Sequence, residues 1–175
     1  MSQLGAARRA ALEFVRQEAG FAQVTTLDRE GFPVGRSMTA FLGDDWSVAL
    51  VQRRTHARIA QMRREPRALV TWVGSPAAGA SNERPNVFDI GRLPPRVVFV
   101  RATAVFMDDA WTLRCYREHI SAQRAQGFTS APLRDAGQVA ADLVGVHLAP
   151  YRVRLEGFGA GARAFEWTVR EQGET

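Results

Sequence analysis

Between residues 51 and 72 the chain reads VQRRTHARIAQMRREPRALVTW, with six arginines, a threonine and a histidine set between two apolar runs of β character. Arg53, Arg54, Thr55 and Arg58 fall where a strand ends and a helix begins. At such a corner, free backbone N–H groups, the positive end of the helix dipole and guanidinium forks can converge on one phosphate. The bland alternative is a solvated arginine-rich helix face, and Arg63, Arg64 and Arg67 are read that way. One strand earlier, Gly35, Arg36, Ser37 and Met38 interrupt a β-like segment with polar groups. Adjacent antiparallel strands would set them beside the arginine corner, where a flat polar ligand could lie along strand edges with backbone groups meeting its rim. For a lone Arg–Ser pair, plain exposure to solvent is the commoner case.

Other constellations carry less. Cys115 and His119 are four apart on a helical stretch and share a face. A closed metal site needs four ligands, and His56 and His147 stand far off without a second paired spacing, so no metal site is expected. Cys115 is read as a small buried hydrophobe and His119 as a surface residue. The glycine-rich GFGAG at 157–161 lacks the long helix that follows a dinucleotide fingerprint, and reads as a hairpin. With no G-x-S-x-G, H-E-x-x-H or paired-cysteine motif in the sequence, an enzyme of this kind would draw its chemistry from a cofactor.

The elements that must position these residues alternate in period. Residues 3–19 space Leu4, Ala7, Ala11, Phe14 and Val15 as a helix that Gly20 should end. From Phe21 the period becomes two: FAQVTTL, a turn at DREG, PVGRSMTAFL, a turn at GDD, then WSVALVQ. Thr55 can cap a short helix with Ile59 and Met62 inward, which Pro66 ends. RALVTWV resumes a strand, PRVVFVRATAVFM is the longest β run, and a helix capped by Asp108 or Asp109 runs to Gly127. A weaker helix covers 136–143. LVGVHLAP with YRVRLEGF and then RAFEWTV complete the strands, with Tyr151, Val153 and Leu155 expected on one face. The pattern predicts a mainly β protein: one antiparallel sheet of six or seven strands with peripheral helices, a closed or split β-barrel.

Length and composition agree with that scale. A chain of 175 residues, 46% hydrophobic and 23% charged, suits one globular domain, with residues 74–95, rich in Gly, Pro, Ser and Asn, as a long loop insertion. All 23 basic residues are arginine, which points to coding bias before function, and the pI of 10.8 overstates a net charge of only +5. That charge favours anionic partners but falls short of a nucleic-acid footprint. One cysteine excludes an internal disulfide. Neither a signal-peptide core nor a membrane-spanning run is present, so no membrane association and a cytoplasmic location are expected.

The order DREGFPVGRSM, a strand ending VQRRTHAR, a helix with MRREPRALV and a late RVRLEGFG resembles the pyridoxamine 5'-phosphate oxidase-like split β-barrels, over roughly residues 10–73 and 97–169. Members of that family bind flavin mononucleotide (FMN) or the deazaflavin F420. The resemblance implies a homodimer with cofactor sites at the subunit interface. Arg36, Ser37, Met38 and Thr39 would line the ring system, and Gln52, Arg53, Thr55 and Arg58 would hold the phosphate. Many relatives carry lysine where Arg58 stands; arginine keeps the charge and adds a fork. True oxidases of the family carry an arginine and a histidine two apart near the C-terminus. Here the stretch reads ARAFEW, so Arg163 matches while Phe165 stands in the histidine's place, which argues against oxidation of pyridoxamine phosphate.

The function implied is hydride transfer through bound FMN to or from a small-molecule substrate. Three alternatives stand beside it. F420 would suit the arginine surplus with its acidic tail. A non-catalytic flavin or haem carrier would need an axial ligand from among His56, His119 and His147. Nucleic-acid binding ranks last, since the arginine helix lacks nearby exposed aromatics and a reading motif.

Overall fold

A computed structural model describes residues 2–74, 95–130, 132–159 and 164–169. In chain order the elements are α1 (Gln3–Gln17), β1 (Ala22–Leu27), β2 (Pro33–Met38), β3 (Phe41–Leu42), β4 (Val48–Arg53), α2 (Ala57–Arg64), β5 (Arg67–Gly74), β6 (Arg96–Phe106), α3 (Asp109–Ala125), α4 (Ala136–Asp142), β7 (Leu143–Glu156) and β8 (Phe165–Thr168). The eight strands form one antiparallel sheet in the order β2-β1-β5-β6-β7-β4-β3, with β8 added to β7. The predicted split β-barrel with peripheral helices is the architecture found.

The stretch read as one strand, PVGRSMTAFL, is two. The chain leaves the ladder at Thr39 and Ala40, and β2 and β3, although consecutive in sequence, occupy opposite edges of the sheet. Continuous pairing would have kept both halves beside β1. The break leaves an opening between the two edges, so the barrel is split there.

Alternation along the strands fills the interior. Val24, Val48, Leu50, Val70, Trp72, Val98, Val100, Val146 and Leu155 are all within 1% of complete burial. Each such side chain contributes about 1.5–3 kcal/mol relative to an exposed one. α1 closes one end, its buried Ala7, Ala11, Phe14 and Val15 recurring at helical spacing. A β-carbon at Gly74 would lie 2.3 Å from the Phe14 ring, so the close seating of α1 depends on that glycine. The helix ends at Glu18 rather than Gly20, and Glu18 accepts two bonds from Arg96, at 2.9 and 2.7 Å, tying α1 to β6.

α3 lies on the outer face of β4 and β7. Its N-cap is Asp108, and Thr112 accepts a hydrogen bond from the Gly145 N–H at 2.9 Å. In β7 the ladder with β6 pairs Arg101 with Arg152 but Ala102 with Pro150, so Tyr151 is an extra, bulged residue. The bulge turns Tyr151 outward to 42% exposure, and it does not share the buried face of Val153 and Leu155 as alternation predicted. GFGAG begins the connection between the paired strands β7 and β8, as the hairpin reading expected, with Gly157 at φ 75°. Apart from Gly74 and Pro95 at its ends, the expected insertion at 74–95 lies outside the described residues. No helix among the described residues is long and apolar enough to cross a membrane.

Candidate anion and cofactor site

α2 bridges the split, and its Arg58 and Gln61 side chains reach strands on opposite sides of it. Arg58 Nε donates to Gln52 Oε1 of β4 at 2.9 Å. One turn on, Gln61 Oε1 accepts from Thr26 Oγ1 of β1 at 2.9 Å and from Arg36 Nη1 of β2 at 3.1 Å. Arg58 and Gln61 are three apart and share a helix face, adjoining the one on which buried Ile59 and Met62 hold α2 to the barrel. Register explains why Arg36 points this way: it sits directly across from Val24, a core residue, so its side chain leaves β2 on the inner side.

This gathers Arg36 and Arg58 from two elements around one mouth, with Arg53 exposed at the end of β4 and close enough for its charge to act on His56. Burial, and next to it the charge of Arg36, lower the Arg58 pKa, so the guanidinium groups feel one another. Among the described residues, no carboxylate pairs with Arg36, Arg53 or Arg58. Arg36 and Arg58 are half-buried; such cations held together without counter-charge are costly, and an anion with several oxygens relieves that cost.

The other arginines of the opening stretch have structural work. Arg54 reaches Asp109 of α3 at 2.6 Å and the Ala140 carbonyl of α4 at 3.0 Å. Arg63 stacks 4.1 Å from the Phe106 ring, and Arg64 donates to the Leu27 carbonyl at 3.0 Å. Arg67 grips Glu65 with both arms, which holds that carboxyl down to about 2. Arg63, Arg64 and Arg67 are exposed as expected, yet none merely wets the surface.

The remaining sequence candidates separate. Gln52 is only 8% exposed and serves as the acceptor for Arg58. Thr55 is exposed in the turn, and His56, not Thr55, is the N-cap of α2; neither side chain closes the cap. Ser37 leaves β2 on the opposite face from Arg36 and donates to Gln23 at 3.1 Å. Met38 is a core residue, so what it offers a ligand is backbone. β2 is an edge strand, and its unpaired side presents a row of N–H and C=O groups toward the split.

Sequence reading did not single out Gln61 or Thr26. The i, i+3 spacing of Arg58 and Gln61 was visible, but nothing local shows that Gln61 meets Arg36 across the split. His56 lies against Arg58, with its Nδ1 2.6 Å from Nη2. Burial first, then the charges of Arg58 and Arg53, lower its pKa, and the same charges oppose a metal cation there.

Thr39 belongs to a different feature, a pocket of about 670 Å³ between the end of α1, β3 and the second half of α3. Phe21, Phe41, Phe128 and His119 line it. His119 stacks flat on Phe41, with centroids 3.1 Å apart, and burial pushes its pKa down to about 4. It is a neutral wall of this pocket rather than the surface residue expected. Cys115, one turn earlier on α3, is half-buried, and burial raises its thiol pKa.

No family model matches the sequence, and no curated protein matches it. Solved structures do. A haem-binding protein from Mycobacterium smegmatis aligns with a TM-score of 0.62 and 20% identity over 93% of this chain and 57% of its own. The chain therefore spans little more than half the length of that relative. A pyridoxamine 5'-phosphate oxidase-related, FMN-binding protein from Nostoc punctiforme aligns with a TM-score of 0.61 and 17% identity over 99% of this chain and 94% of its own. An F420 reductase aligns with a TM-score of 0.51 and 13% identity over 81% and 94%. The fold is that of the pyridoxamine 5'-phosphate oxidase-like split β-barrels, the class the sequence resembles.

Proposed function

We propose that this chain is an FMN-dependent oxidoreductase that holds the cofactor phosphate at the Arg36–Arg58 mouth and the flavin ring along the free edge of β2. One observation carries the reading: the guanidinium groups of Arg36 from β2 and Arg58 from α2 meet at the barrel's split without a carboxylate partner among the described residues. Arg36 and Arg58 would bind the phosphate oxygens, with Arg53 adding charge from the end of β4. Gln52 and Gln61 would keep both forks aimed, since each already accepts from one of them. Backbone groups at Ser37 and Met38 would meet the rim of the ring. Bound FMN would supply two-electron hydride chemistry, and a nearby cation would favour the anionic reduced form.

Homodimerisation, with each site completed by the second subunit, is part of this reading. So is a small-molecule substrate other than pyridoxamine phosphate. Phe165 packs against the core at the start of β8, where an oxidase would present histidine, and Arg163 lies outside the described residues. F420 is the alternative cofactor, supported by the likeness to an F420 reductase.

The test is retention. Purified protein is mixed separately with FMN and with F420, desalted, and its absorption and fluorescence read. FMN should stay with the wild type and leave the Arg36→Ala/Arg58→Ala variant. Retention of F420 alone would move the function to deazaflavin chemistry, and FMN held equally by the variant would overturn the phosphate assignment.

A second reading, a haem carrier, has its own observation in the apolar pocket walled by neutral His119. A Soret band that forms on adding haem and is lost in His119→Ala would support it; haem uptake indifferent to that change would remove it.

A further inference from the structure

We propose that His56 is a proton-carrying member of the anion site, which takes up a proton as a divalent oxyanion such as a phosphate monoester enters, so that the site binds that anion more tightly as pH falls. The inference rests on the anion reading above and adds to it a class of ligand and a pH control.

The geometry sets the starting state. Arg58 Nη2 has only protons to offer, so at 2.6 Å His56 Nδ1 must be the acceptor, and the ring is neutral with its proton on Nε2. An imidazolium could not make this contact. His56 is also the first residue before α2, and its side chain closes no cap, so the ring is free to turn once Arg58 lets go.

The charged groups around it come from each element packed there. Arg53 stands at the end of β4, Arg58 on α2, and Arg36 reaches in from β2 beside Arg58. Among the described residues, no carboxylate acts on the ring. An anion seated among these arginines changes two things at once. It competes for the Arg58 fork, which releases Nδ1, and it places negative oxygens where a newly protonated Nδ1 can donate. Burial first, and then the charges of Arg58 and Arg53, hold the ring below its ordinary value, and negative charge seated beside it acts in the opposite direction.

Linkage then fixes the sign. Where the bound state holds more protons than the free one, affinity is highest at low pH and falls as pH rises through the raised value of the complex. It levels off once pH exceeds both values. A divalent anion drives this harder than a monovalent one, so the site prefers a phosphate monoester, the form in which FMN carries its phosphate, to a phosphodiester.

Sulfate is a suitable probe because it stays divalent between pH 5 and 8, leaving any pH dependence to the protein. Calorimetric titration of the full chain with sulfate at constant ionic strength should show affinity rising as pH falls, by up to about tenfold per pH unit. Repeating it in two buffers of different ionisation heat should report proton uptake by the wild type without recourse to any variant. His56→Gln should bind sulfate with a flat profile, and a thermal melt shows whether it is folded. Binding lost in Arg36→Ala/Arg58→Ala, but with no uptake in the wild type or with the slope kept in His56→Gln, overturns the role of His56 while the anion site stands. Failure of the wild type to bind sulfate or FMN at all overturns the site and this inference together.

Discussion

Replacing Arg58 by alanine removes one fork of the anion site and leaves the barrel in place. In the complex, a guanidinium–phosphate contact is a charge-assisted hydrogen bond of about 1.5–3 kcal/mol. The repulsion between Arg58 and Arg36 is present with and without ligand, so its loss cancels from the affinity. The expected weakening of FMN binding is therefore roughly 10- to 150-fold in Kd. Stability should move little. The variant loses the bond to buried Gln52, worth about 1 kcal/mol, and gains relief of like-charge repulsion that is opposite in sign. Quenching of flavin fluorescence on titration with protein measures Kd, and a thermal melt measures stability. Arg58→Lys keeps the charge without the fork and should fall between wild type and alanine. If Arg58→Ala stays folded and its Kd lies within about twofold of wild type, Arg58 does not touch the cofactor and the site has been misplaced.

Three further outcomes are expected. Gln61→Glu places a carboxylate between Arg36 and Arg58. It should raise the melting temperature by about 2–4 °C, as a half-buried pair of about 1 kcal/mol would, while weakening FMN or sulfate at least tenfold; tighter anion binding would refute the cluster. Gly145→Ala puts a β-carbon about 2.5 Å from Trp111 and 2.7 Å from Thr112, lifting α3 from the sheet. It should cost about 1–3 kcal/mol in chemical denaturation, and an unchanged midpoint would show that α3 yields freely. His119 is neutral when folded with its pKa near 4, whereas the unfolded chain protonates it near 6.5, so its contribution is complete above 6.5 and is lost as pH falls toward 4. Denaturation of His119→Leu across that interval should show a shallower loss than wild type; an equal slope would mean the ring titrates normally.

Much of the local structure was legible because its causes are local. Asp108 caps α3 and Asp135 caps α4 through their own side chains, Pro66 follows α2, and the alternation in β1, β4 and β6 comes from the pleat of an isolated strand. The arginine corner was legible for the same reason, being a strand end, a turn and a helix start within seven residues. The break at Thr39–Ala40 was not. Nothing in PVGRSMTAFL says that its two halves will pair with different neighbours, because pairing is a contact across the chain. The bulge at Tyr151 is equally hidden, since it exists only relative to the register of β6.

The sequence by itself determined the class of fold, the period of each element and the presence of a cationic strand-to-helix corner, all consequences of residue type and spacing over short range. Tertiary structure alone decided which arginines are free for an anion. Arg54, Arg64 and Arg67 are spent on a carboxylate, carbonyls or both, and Arg63 on a ring, while Arg36, 22 positions before Arg58, joins it because β2 and α2 flank one split. A guanidinium looks the same in every sequence context, and its function follows from what lies within about 3 Å of it, which only the packed chain specifies.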